Sequence, residues 1–155
     1  MRRIITMSAV SAAVITLTMS AAFAQQFGTA AEAKAMAEKA MAEMKANPTA
    51  AMAKFNDPSG GFKDRDLYVF CFNLDTGKFD AHANKALVGT DVRSLKEKDG
   101  AALGQKVYDA GKGVKEGATV TVDYNFPKPG TTNPVPKESF IFRVGGEGCG
   151  VGYYK

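Results

Sequence analysis

Leu67-Tyr-Val-Phe-Cys-Phe-Asn73 is the stretch on which the fold turns. It is rich in aromatic and β-branched residues (Tyr68, Val69, Phe70 and Phe72), and Asp75-Thr76-Gly77 follows as a turn, so it reads as a central strand. Lys78 to His82 supplies a short partner strand behind that turn. Thr119-Val-Thr-Val-Asp-Tyr-Asn-Phe126 alternates, which places Val120, Val122, Tyr124 and Phe126 on one face. Pro127 to Pro136 reads as a proline-punctuated loop. Glu138 to Val144 and Cys149 to Tyr154 read as two further strands, joined through Gly145-Gly146-Glu147-Gly148. Residues 84–117 are mixed and loop-rich, with a helix expected from Ala101 to Ala110 and ended by Gly111.

Upstream of the strands the period changes to that of helices. Thr29 and Glu32 form a T-x-x-E capping box, and the strong helix formers behind them run to Ala46. Ala33, Met36, Ala37, Ala40, Met41 and Met44 fall on one side of that helix. Asn47-Pro48 interrupts it, because the residue before proline avoids the helical region. Asn47 then caps a second helix running to about Phe55, and Asp57-Pro58-Ser59-Gly60-Gly61 ends the helical section. Helices first and five short strands after them make an α+β layout.

The opening MRRIITMSAVSAAVITLTMSAAFA fits an export signal: Arg2 and Arg3 lead, a small and apolar run follows, and Ala22-Phe23-Ala24 suits signal peptidase. Residues 1–24 are therefore expected to be removed, leaving one domain over 25–155 in the periplasm or secreted. A retained anchor is the weaker alternative, since Ser, Thr and Met break the apolar run. Removing two arginines lowers the formal net charge from +4 to +2, and no Lys/Arg run stands out, so no nucleic-acid partner is expected.

Cys71 and Cys149 are the only cysteines. In an exported chain the simplest outcome is one disulfide, closing a loop worth about 4 kcal/mol in the chain-entropy model; two buried thiols are the alternative. A bond from the first strand to the last makes those two strands neighbours. The sheet is then a PAS-like five-stranded antiparallel one, order 2-1-5-4-3, with the N-terminal helices packed on it.

With that order, the chain from about Thr29 to Lys155 resembles the single Cache domains, the extracytoplasmic PAS-like sensory modules of bacterial receptors. The resemblance is carried by Asp66-Leu-Tyr-Val-Phe, Asp75-Thr-Gly77, Ala81-His82-x-Asn84, Leu87-Val-Gly89-x-Asp91 and Lys98-Asp99-Gly100. It continues through Tyr124-x-Phe126-Pro127-x-Pro129, Lys137-x-Ser139-Phe140 and Gly150-Val-Gly152-Tyr153. Three positions depart from it: Ala83 stands where proline often follows the histidine, Phe126 where tryptophan is common and Phe140 where tyrosine is. Members usually sit between two membrane helices of a receptor, whereas this sequence has no second apolar span.

His82, the only histidine, is either a solvated residue at a strand end or, as the resemblance favours, a hydrogen-bond donor to a small anion. In its imidazolium form it would bind more strongly at low pH. Lys137 is either a surface lysine or a point charge for a carboxylate, at the start of a strand. Tyr124 and Phe126 are either plain core or the wall of an apolar pocket, and Tyr68 can face either side of its strand. Met36, Met41, Met44 and Met52 suit core filling better than Cu(I), so no metal and no cofactor is expected. No serine elbow, supported carboxylate pair or Cys/His dyad is present, and Gly145 to Gly152 lacks phosphate-loop context, so no catalysis is expected. These readings imply an exported ligand-binding domain for a small organic acid, a short carboxylate, that presents it to a membrane-bound sensor or scavenges it. The ligand-binding residues would be His82, Lys137, Tyr124, Phe126 and Tyr68. An envelope interaction module without a ligand, or a periplasmic metal-binding protein, are the alternatives.

Overall fold

The capping box works as its spacing dictates. In the computed structural model, which describes residues 26–155, the Thr29 hydroxyl accepts from the Glu32 N–H at 3.2 Å, and the Glu32 carboxylate accepts from the Thr29 N–H at 2.7 Å. Helix α1 (Ala30–Ala46) starts there and ends at Asn47, which turns the chain and caps α2 (Pro48–Asn56) by accepting from the Ala50 N–H at 3.0 Å. The expected export signal lies outside the described residues.

The strands are β1 (Lys63–Asp64), β2 (Leu67–Asn73), β3 (Phe79–Ala81), β4 (Thr119–Pro127), β5 (Pro134–Val144) and β6 (Glu147–Tyr154), with helix α3 (Leu103–Gly113) between β3 and β4. All pairings are antiparallel. β2 pairs with β6 on one side and with the short β1 and β3 on the other, and β6 continues through β5 to β4. In the five-strand numbering of the sequence this path reads 2-1-5-4-3. Cys71 and Cys149 stand directly opposite each other in the β2–β6 register and are bonded.

β2 is buried from Leu67 to Phe72, because both faces of the sheet are covered. Leu67, Val69 and Cys71 meet Ala33, Ala37, Ala40 and Met44 of α1 on one face. Tyr68, Phe70 and Phe72 turn to the other face, into a second core with Val92, Leu103, Val107, Tyr108, Val122, Tyr124 and Ile141. An uninterrupted apolar run is what two covered faces require.

Several boundaries differ from the sequence reading. α3 runs from Leu103 through Gly113 and does not stop at Gly111. Gly111 is there for contact: a Cβ on it would come within 2.7 Å of the Phe72 ring. The hairpin before β6 is the two residues Gly145-Gly146, with Gly145 at φ 58°, so Glu147 and Gly148 belong to the strand and Cys149 is its third residue. Val120 is 40% exposed at the open end of β4, although it shares the face of buried Val122 and Tyr124. The proline loop shrinks to 128–133, since β4 and β5 stay paired as far as Pro127 and Pro134. Proline is tolerated there because β6 has ended: the Pro136 C=O faces that side and accepts from the Lys155 N–H at 2.9 Å, so its missing N–H breaks no rung with β4.

Candidate functional site

The second face of the sheet brings together all five residues singled out for ligand binding. Tyr68 comes from β2, His82 follows β3, Tyr124 and Phe126 come from β4, and Lys137 comes from β5. Tyr68, His82 and Phe126 each line two spaces. The inner one is a small apolar cleft of about 20 Å³, lined also by Phe70, Phe79, Leu103, Val107 and Tyr124. The outer one is a vestibule of about 500 Å³ between Lys63, Asn84 and the 127–131 turn.

Lys137 does not begin its strand. It is the fourth residue of β5 and 1% exposed. Its Nζ donates to the Tyr68 hydroxyl at 2.9 Å and lies 4.2 Å from the Tyr68 ring centre, 4.7 Å from Tyr154 and 5.5 Å from Phe126. Among the described residues it forms no ion pair with a carboxylate. An ammonium in such a place is costly, and burial pushes its pKa down to about 7, with nearby Asp66 pulling weakly the other way. The aromatic faces offset part of that cost.

His82 is not a solvated strand-end residue. It is 4% exposed and packs edge-on against Tyr68, Phe79 and Phe126. Burial first, and then the Lys137 charge, hold its pKa down at about 3, so it is a neutral imidazole at any ordinary pH. Its Nδ1 accepts from the Asn84 N–H at 2.9 Å, which leaves the proton on Nε2. His82 therefore offers a neutral N–H donor and not the imidazolium that its sequence position allowed. Tyr124 is tied to Ser139 by a buried hydroxyl pair at 2.7 Å. Burial raises the pKa of both Tyr68 and Tyr124, keeping them as un-ionised phenols.

The sequence reading gave no place in the site to Tyr154, to Asp66 or to the alternating glycines of β6. Tyr154, opposite Lys137 in the β5–β6 register, walls the ammonium and donates its hydroxyl to the Pro127 C=O at 2.6 Å. Asp66 sits 6% exposed, with Oδ1 accepting from the Gly28 N–H at 2.6 Å and Oδ2 without a hydrogen-bond partner among the described residues. Glycines 148, 150 and 152 alternate along β6, and a Cβ on Gly152 would overlap the Lys137 stem and the Ser139 hydroxyl. The signal was present as glycine at period two inside a strand, which marks close approach. Gly152→Ala is expected to displace the Lys137 stem and the Ser139 hydroxyl and so to lower stability by about 1–3 kcal/mol, the usual cost of overpacking. Urea denaturation checks it, and an unchanged midpoint would show that the neighbours yield freely.

The family model described as Cache domain matches residues 21–153. Among solved structures, the chain is 26% identical to a periplasmic sensor domain of a chemotaxis protein, with a TM-score of 0.59 over 79% of this chain and 87% of that one. A methyl-accepting chemotaxis protein from Vibrio parahaemolyticus aligns at 21% identity and a TM-score of 0.63, covering 80% and 86%. A Cache chemosensory domain whose structure is described as the basis for carboxylic acid recognition aligns at 23% and 0.57, covering 79% and 85%. No curated protein matches the chain.

Proposed function

The chain belongs to the Cache domain family, and on that premise we propose that it is an exported, non-catalytic sensory-type domain that binds a short carboxylate. The observation that carries this reading is Lys137: a buried ammonium, without a carboxylate partner among the described residues, behind the rings that separate the cavity from the vestibule. A ligand carboxylate supplies the missing counter-charge. The His82 Nε2–H and the Tyr68 hydroxyl add neutral donors, and the inner cavity takes a short apolar tail. Removal of residues 1–24 and release into the periplasm belong to the same proposal. Among the described residues no helix is long and apolar enough to cross a membrane. Presentation of the ligand to a membrane sensor is part of the same proposal.

The reading is tested by melting the protein against acetate, propionate and larger acids. A true ligand at 100 times its dissociation constant adds about 2.7 kcal/mol of stability. If no acid shifts the transition, the site is closed to carboxylates and an interaction module without a ligand is favoured.

The same geometry fixes a pH dependence. Tyr68, Tyr124, Tyr154, Asp66 and His82 are the ionisable groups around Lys137, and the tyrosines and His82 stay neutral at pH 7. A carboxylate binds the ammonium form, whose pKa in the free protein is about 7. Affinity is therefore expected to be flat from pH 5 to about 7 and to fall about tenfold per pH unit above it, with proton uptake on binding. Calorimetry in buffers of different ionisation enthalpy reads this directly. Affinity that instead rises above pH 7 would exclude the ammonium as the binding form.

A further inference from the structure

We propose that Lys137 also captures short carbonyl compounds, above all 2-oxo acids, as a reversible imine. The inference rests on the same site as the carboxylate reading but asks a different thing of it. A primary amine is a useful nucleophile when it is desolvated and free of a carboxylate that would hold it as a salt. Lys137 is enclosed, gives its hydrogen bond to the neutral Tyr68 hydroxyl and, among the described residues, forms no ion pair, with Asp66 acting on it only through space. Burial keeps a large part of it unprotonated at neutral pH. Lys137 lines neither space itself, but Tyr68 and Phe126, whose ring centres lie 4.2 and 5.5 Å from its Nζ, are walls of the vestibule, so capture requires one of these rings to move aside. A 2-oxo acid brings the carboxylate that the site attracts and, one bond away, an electrophilic carbon.

The step balances without a redox partner. Nζ, having released one proton, adds to the carbonyl carbon; a C–N bond forms and the π pair moves to oxygen. A proton passes from nitrogen to that oxygen, with the Tyr68 hydroxyl adjacent as relay, giving a carbinolamine. The hydroxyl then takes up one proton and leaves as water while the nitrogen lone pair closes the C=N bond. The product is a cationic imine, so the positive charge beside the ligand carboxylate is retained.

The test treats the chain with pyruvate and cyanoborohydride, followed by intact-mass analysis and peptide mapping. The expected result is one reduced adduct, on the peptide containing Lys137, suppressed by excess acetate and absent from Lys137→Met. Labelling of Lys137 no greater than that of surface lysines overturns the proposal, and mapping the natural chain makes this independent of how any variant folds. If acetate raises the melting temperature and Lys137 stays unlabelled, the imine falls and the carboxylate reading stands. If Lys137 is labelled and no acid of the melting series has an effect, the imine stands and the carboxylate reading falls.

Discussion

Lys137→Met is expected to make the unliganded protein more stable while weakening carboxylate binding about 10- to 100-fold, the range set by losing a hydrogen bond to a charged partner. Methionine keeps the unbranched stem and fills the same space between Tyr68, Tyr154 and Phe126 without a charge to desolvate. The sign with pH follows from linkage. The lysine pKa is lowered from 10.5 to about 7 on folding, so between those values the unfolded chain holds more protons and native stability rises with pH. The cost of burying the ammonium is full below pH 7 and fades towards pH 10. The advantage of methionine is accordingly a few kcal/mol at pH 6 and much smaller at pH 10. Urea denaturation at the two pH values measures it. A variant less stable at pH 6 than the natural chain would mean that the lysine is not strained in the free protein, and the argument for a missing counter-anion would go with it.

Replacing both cysteines, Cys71→Ala with Cys149→Ala, is expected to lower stability by about 2–5 kcal/mol while the fold is kept. The bond joins residues 78 apart in sequence, so its loss frees a long loop in the unfolded state. Both side chains are 0% exposed against the α1 layer, and the two missing sulfurs leave a void there. The β2–β6 ladder from Val69 to Asn73 holds the register without them, so the circular dichroism of the native variant should match that of the oxidised protein. Equal denaturation midpoints with and without reductant would show that the disulfide contributes nothing.

How far the sequence could be read depended on whether the deciding physics was local. Thr29, Glu32, Asn47 and Pro48 act within four residues of themselves, and the helices they delimit were legible to within a residue or two. The seven residues of β2 were equally plain, because two covered faces leave no room for a polar interruption. Gly111 misled, since glycine ends helices more often than it makes room for a ring, and only Phe72 across the layer tells the two apart. The prolines of β5 misled for a similar reason: their tolerance depends on where β6 stops, far along the chain. The neighbourhood of the candidate residues did follow from strand order, since Tyr68, His82, Tyr124, Phe126 and Lys137 converge on one face of the sheet, while ligand binding by them is a proposal. Their charge states did not follow. Whether a histidine is neutral or a lysine strained is set by burial from several strands at once, which no spacing rule encodes.

The pairing of β2 with β6 also has a bearing on how the chain is made. Synthesis proceeds from the N-terminus, so the most apolar strand of the sheet emerges long before the strand that flanks it. From Leu67 until Cys149 and its neighbours appear, a seven-residue segment of high β-propensity and no charge lacks its principal partner. Such a segment is where nascent chains stick to one another. Helices α1 and α2 precede it in the chain and cover one of its faces in the finished domain, and α3, which covers the other, also precedes β6. The edge that β6 takes is what waits for the end of the chain.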